Sequence, residues 1–158
     1  ISIPRNGKFD VERARAQEIP QKFWSRLQKG EVIEFEGRTL TPDMVLGDKR
    51  RGLSVTYSTD TRPVPVIAEY AKDCDLFICE GMYGEDDKKQ KAREKKHMLF
   101  SEAAQMAKNA KVEKLWLTHF SPSLNEPEEC LPVAQAIFAE TELGEDRKTI
   151  TIEFPKEG

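Results

Sequence analysis

Apolar residues along this chain fall into short blocks whose period changes from one segment to the next. Asp10 stands where a helix cap belongs, ahead of residues 11–17, with Glu12 in the first turn. Phe23, Trp24 and Leu27 recur at helical spacing behind Pro20 and predict a second helix that ends near Gly30. Residues 31–35 and 38–40 flank Glu36-Gly37 as a small hairpin, and 48–52 form a charged turn. From residue 53 the pattern becomes regular. A strand at 53–58 leads through Pro63 and Pro65 into a helix at 66–72, and a strand follows at 75–80. The charged stretch 86–96 reads as helix or loop. Ala103, Ala104 and Ala107 mark an amphipathic helix over 101–110. A strand at 114–118, a helix at 127–141 and an alternating strand at 148–154 complete the chain. Strand and helix alternating four times over predict an α/β layered fold. The expected organisation is a single α/β unit over 1–158, with helices and a hairpin in 1–52 and the alternating elements in 53–158.

Composition narrows the function classes. The chain has 158 residues, the size of one domain, with 38% apolar and 34% charged residues. Its net charge of -3 excludes a chain that binds nucleic acid over its whole surface and leaves only a local patch for that role. Residues 88–96 are the one candidate patch, with six cations against one anion, directly after Glu85, Asp86 and Asp87. Such a run is either a solvated face or a phosphate contact. Cys74, Cys79 and Cys130 lack zinc-ribbon spacing and read as reduced thiols in a cytoplasmic protein. No apolar run reaches the roughly 18 residues that span a bilayer, so no membrane partner is expected. The opening Ile1-Ser2-Ile3-Pro4 is neither signal peptide nor tag, and predicts a fragment of a longer protein.

The candidate chemistry sits where strands end, which is where α/β folds gather their reactive loops. Asp60 follows one apolar strand. Its two carboxylate oxygens suit a metal, and equally the turn or helix cap that an aspartate often supplies. His119 ends Leu115-Trp116-Leu117-Thr118, and its imidazole suits zinc or a hydrogen bond across strand ends. Glu80 is the polar end of Leu76-Phe77-Ile78-Cys79, placed to orient a histidine or cap a turn. His97, in the loop before the alanine-rich helix, is a proton shuttle or a solvated loop residue.

In their order, these pieces resemble the carboxyl-terminal half of the ribonuclease Z family, the tRNA 3′-processing endonucleases of the metallo-β-lactamase superfamily. Tyr57-Ser58-Thr59-Asp60-Thr61-Arg62-Pro63 is similar to the family's Gly-Asp-Thr-Arg-Pro segment. Phe77-Ile78-Cys79-Glu80-Gly81-Met82 lies where the family has His-Glu-Ala-Thr. His97 with Ser101-Glu102-Ala103-Ala104 matches its histidine loop and following helix, and Leu117-Thr118-His119-Phe120-Ser121 its last metal segment.

The resemblance implies the carboxyl-terminal half of a metallo-β-lactamase-type αββα sandwich. It implies Asp60 as the bridging metal ligand, His119 as a ligand, and His97 held by Glu80 as the general acid. Two zinc ions are expected in the intact parent, with weak or absent zinc binding by this chain alone. The His-x-His-x-Asp-His motif does not occur here, because the chain has two histidines. The implied partners are a missing amino-terminal half and precursor tRNA; half of a sandwich also leaves apolar surface open, which predicts a second copy in a homodimer with Phe23, Trp24 and Trp116 as contact residues. Thr59, Cys79, Gly81-Met82, Met98-Leu99 and Pro122-Ser123-Leu124 depart from the family pattern. They keep open a divergent hydrolase of small phosphodiesters or esters, and the absent metal motif keeps open a non-catalytic half-domain.

Overall fold

The computed structural model describes residues 1–155. These form seven strands: β1 (Ser2–Arg5), β2 (Ile33–Phe35), β3 (Arg38–Leu40), β4 (Arg50–Ser58), β5 (Leu76–Glu80), β6 (Leu115–Thr118) and β7 (Thr141–Leu143). The α-helices are α1 (Val11–Ala16), α2 (Trp24–Gln28), α3 (Pro65–Ala71), α4 (Lys89–Lys95), α5 (Phe100–Ala110) and α6 (Pro127–Gln135). Short 3-10 turns at Gln21–Phe23 and Asp86–Lys88 lead into α2 and α4. Two compact units result, one of residues 1–2 with 53–153, the other of 3–52 with 154 and 155.

In the larger unit, β4, β5, β6 and β7 are neighbours and run parallel; the full sheet order is β1-β4-β5-β6-β7. Parallel neighbours need crossovers, and α3, the α4–α5 pair and α6 supply them. Thr56, Phe77, Leu115 and Thr141 share one register row, and Ser58, Cys79, Leu117 and Leu143 the next such row. Because side chains alternate, both rows belong to one sheet face. That face packs on Phe100, Ala103, Ala104 and Ala107 of α5, all fully buried. Small residues let the helix lie close to the sheet. A buried Phe or Leu here contributes about 1.5–3 kcal/mol.

The smaller unit has its own core of Ala14, Ile19, Phe23, Leu27, Ile33, Leu40, Val45 and Leu46. Asp10 caps α1 as expected, accepting from the Arg13 amide at 2.9 Å. The hairpin turns at Glu36 and Gly37, both at positive φ (50° and 76°), which suits the tight turn that two-residue hairpin loops require.

Three expectations are corrected. The strand at 148–154 is not formed: those residues lie outside any strand, and the last strand, β7, starts at Thr141, the expected end of the 127–141 helix, while α6 stops at Gln135. Alternation reports which side chains are covered, not whether a neighbour offers a ladder. Lys148 is held instead through its ammonium, by Glu142 at 2.9 Å and the Leu143 carbonyl at 2.7 Å. The second helix runs as a 3-10 turn followed by α2 and stops at Gln28, just before Gly30. The aromatic contact surface is also overturned. Phe23 and Trp116 are buried, and the Trp24 indole donates to the Ile19 carbonyl at 2.9 Å while packing on Phe9.

Candidate metal and proton-transfer site

Three loops and one strand end of the larger unit converge at the carboxyl ends of its parallel strands. β4 delivers Asp60, β5 ends on Glu80, β6 is followed by His119, and the loop between α4 and α5 carries His97. Asp60, His97 and His119 bring one potential ligand atom each to within 4.8 Å of one another. His119 Nε2 lies 3.4 Å from Asp60 Oδ1, and the two imidazole centroids are 5.4 Å apart.

The backbone at two of these residues is unusual. Asp60 (φ 52°) and His119 (φ 59°) both adopt the left-handed region. Side-chain-bearing residues visit it rarely, at a cost on the order of 1–3 kcal/mol, and such residues cluster where side chains are aimed for a purpose. Each residue turns the chain sharply just past its strand.

Glu80 is fully buried. A buried carboxylate needs partners, and this one has three. One oxygen accepts from the Thr61 amide; the other accepts from the Met98 amide at 3.0 Å and faces His97 Nδ1 at 3.1 Å. With Nδ1 engaged, His97 has Nε2 left for the site. Glu80 thus joins the Asp60 loop to the His97 loop. Its neighbour Cys79 points the other way, into the core, where burial, then the adjacent Glu80 charge, pushes its thiol up to about 12. The thiol is an inert core group, packed 3.9 Å from Met98 Sδ.

A second brace has no counterpart among the sequence expectations. Arg62 forms a two-pronged ion pair with Glu102 of α5, with Nη1–Oε2 at 2.7 Å, and also donates to the His97 carbonyl. Glu102 Oε2 accepts from the Leu99 amide at 3.0 Å, so the same carboxylate ties off the first turn of α5. Burial works to raise the Glu102 carboxyl, but Arg62 and the Leu99 amide prevail and hold it below the usual carboxylate range. The sequence signal is a Thr-Arg-Pro after the aspartate and a glutamate in a helix first turn. Neither reveals its partner 40 residues away.

One carboxylate and two imidazoles are a donor set that suits zinc and other first-row metals, and a catalytic zinc typically takes three protein ligands. The structure therefore brings His97 into the same reach as the two expected ligands, Asp60 and His119.

The chain matches the Beta-lactamase superfamily domain over residues 7–120. It is 54% identical over 154 residues to Ribonuclease Z of Clostridium acetobutylicum, covering 98% of this chain and 50% of that protein. Against Ribonuclease Z of Lachnospira eligens it is 54% identical over 158 residues, covering 100% of this chain and 52% of that protein. The chain thus spans about half the length of the curated relatives it matches. Two solved structures share the fold. They are the metallo-beta-lactamase fold protein YhfI from Bacillus subtilis (TM-score 0.51, 24% identity, 58% of this chain and 37% of that one) and human tRNase Z, short form (TM-score 0.50, 24% identity, 73% and 37%).

Proposed function

Because the chain belongs to the beta-lactamase superfamily domain family, we propose that it contributes the late half of a ribonuclease Z-type active site, a zinc-dependent phosphodiesterase that cleaves precursor tRNA at its 3′ end. The observation that carries this reading is the convergence of Asp60, His97 and His119 within 4.8 Å, with His97 braced on buried Glu80. The 54% identity to ribonuclease Z proteins over nearly the whole chain supports the same substrate class.

In this proposal Asp60 and His119 would hold metal, Asp60 offering two carboxylate oxygens for it. When bound, zinc supplies Lewis acidity toward the phosphoryl group and lowers the pKa of a water. The remaining chemistry belongs to side chains. Glu80 fixes the His97 ring through Nδ1 at 3.1 Å, and Nε2 delivers a proton to the leaving 3′ oxygen. Arg62 holds the His97 carbonyl, so the ring is located from both its side chain and its backbone. The remaining metal ligands come from outside the chain, so zinc binding by these residues alone is expected to be weak.

The test is cleavage of an RNA hairpin with a 3′ trailer by the chain extended to the length of its ribonuclease Z relatives. Asp60→Ala and His119→Ala are expected to lose metal and activity together. His97→Ala is expected to keep its metal and lose about 10²–10⁴-fold in turnover, the usual worth of a general acid. Wild-type turnover in any of the three at equal metal content would remove that residue from the mechanism. A homodimer belongs to the same proposal and is supported by the exposure of Tyr57 and Tyr70 on the larger unit. Sedimentation equilibrium giving only monomer at micromolar concentration would contradict it.

A further inference from the structure

The basic stretch 88–96 is not used by the site chemistry, and its side chains are arranged in a specific way. It holds six cations and one anion, while the chain as a whole has net charge -3, so all other residues sum to -8. The positive charge of this acidic chain is concentrated in one short segment. Two of the six cations are occupied. Lys88 pairs with Asp87 at 3.1 Å and Glu85 at 3.4 Å, and Lys91 lies 5.1 Å from the Tyr83 ring centroid. The segment's single anion, Glu94, accepts from the Gln90 amide at 2.9 Å rather than from a cation. Lys89, Arg93, Lys95 and Lys96 are exposed and make no ion pair among the described residues.

A helix that is merely solvated gains from acidic and basic residues spaced four apart. α4 does the reverse. Lys89–Arg93 and Lys91–Lys95 are like-charged at that spacing, an arrangement that destabilises an isolated helix and is relieved when anions lie across it. α4 also leads directly to the site. Lys96 ends it in the left-handed conformation (φ 63°), and the His97 amide closes onto the Ala92 carbonyl at 2.8 Å. From Lys89 to His97 the rise is roughly 12 Å at ~1.5 Å per residue. Phosphates of one duplex strand, at ~3.4 Å each along the axis, would place about three alongside. The helix has no exposed apolar side chain, since its one apolar residue, Ala92, is buried. A lipid surface needs an apolar face to insert, so the chemistry favours a nucleic-acid backbone.

We propose that Lys89, Arg93, Lys95 and Lys96 form a phosphate-binding track that holds the backbone of an RNA strand leading to His97. This rests on the phosphodiesterase reading of the site, but binding through the track requires neither metal nor turnover.

The experiment is fluorescence anisotropy of a labelled RNA hairpin with a single-stranded 3′ tail, titrated with this chain across a salt series. The comparison is the quadruple variant Lys89→Gln, Arg93→Gln, Lys95→Gln, Lys96→Gln. Glutamine has nearly the helix propensity of lysine and arginine, and circular dichroism checks that the fold is kept. The variant is expected to bind on the order of tenfold more weakly at low salt. Its slope of log affinity against log salt is expected to flatten by ~0.7–0.9 for each phosphate that is no longer neutralised. Unchanged affinity and slope would overturn the proposal. Poly-glutamate of equal charge displacing the RNA as well as unlabelled RNA does would also overturn it, in favour of an acidic protein. So would binding to phosphatidylserine vesicles but not to RNA, in favour of a membrane surface. Wild type is expected to bind this RNA equally with and without a chelator, so a failure of the hydrolase reading would appear in cleavage and not here.

Discussion

Asp60 and His119 are held in the left-handed region by their surroundings, at φ of 52° and 59°. A residue in that region gains from glycine wherever shape alone is required. Asp60→Gly and His119→Gly are therefore expected to leave thermal stability within about 1 kcal/mol of wild type or raise it, while removing metal binding. A calorimetric loss of several kcal/mol would mean that both side chains are structural. The Arg62–Glu102 pair carries the opposite expectation. Its side chains are only 25% and 19% exposed, and removing one partner leaves the other charge poorly solvated. Glu102→Ala should cost about 2–4 kcal/mol in urea unfolding, less than a fully buried pair. A cost under ~0.5 kcal/mol, the scale of a surface ion pair, would show that the brace holds nothing in place. Asp60, Glu80, His97 and His119 are legible in the sequence because each type and each position, just past a strand or before a helix, announces possible chemistry. The Arg62–Glu102 brace is not, because an arginine and a glutamate are ordinary until the fold brings them together.

At the scale of elements, β5 shows how packing fixes the site. Gly81 directly follows Glu80, and a methyl group there would meet the Phe100 ring at 2.8 Å and Leu117 at 3.2 Å. Gly81→Ala should push these core side chains and cost about 1–3 kcal/mol. The cost should be accompanied by a changed His97 signal in the imidazole region of the NMR spectrum. An unperturbed, equally stable variant would show slack between β5 and α5. At the far edge of the sheet, Glu142 of β7 gathers Lys114, Lys148 and the Trp116 indole. Hydrogen bonds from Lys114 and then Lys148 bring its carboxyl down to about 2. The unfolded chain titrates near ~4.3, so the folded state gains stability fully above that pH and loses it as pH falls toward about 2. Wild type should exceed Glu142→Gln in stability at neutral pH, and the gap should close over that window. A pH-independent gap would contradict this. The central alternation of strands and helices is readable because each element is long enough to show its period. β7, three residues long, and β1, with Pro4 inside it and little burial, give no pattern to read. The strand expected at 148–154 shows the complementary failure: alternation without a ladder partner.

Among the described residues the molecule contains two large cores and a small third cluster of Tyr83, Ala92 and Leu99. One large core, under the parallel sheet, carries all four candidate site residues; the other encloses the α1–α2 helices and the hairpin. With about half the length of its ribonuclease Z relatives, the chain offers the proposed metal centre two ligands, Asp60 and His119, with His97 beside them, where a catalytic metal typically takes at least three protein ligands. Metal-dependent catalysis is therefore expected of the longer polypeptide, with proton delivery from the residues of this chain. The most direct test is single-turnover cleavage of a 3′-trailer RNA by that longer polypeptide, chelated and then restored with zinc. It should be measured for wild type, Asp60→Ala and His97→Ala. Zinc-dependent cleavage is expected in wild type, none in Asp60→Ala, and a slow but still zinc-dependent reaction in His97→Ala. Cleavage at the wild-type rate by Asp60→Ala, or without zinc, would contradict the assignment.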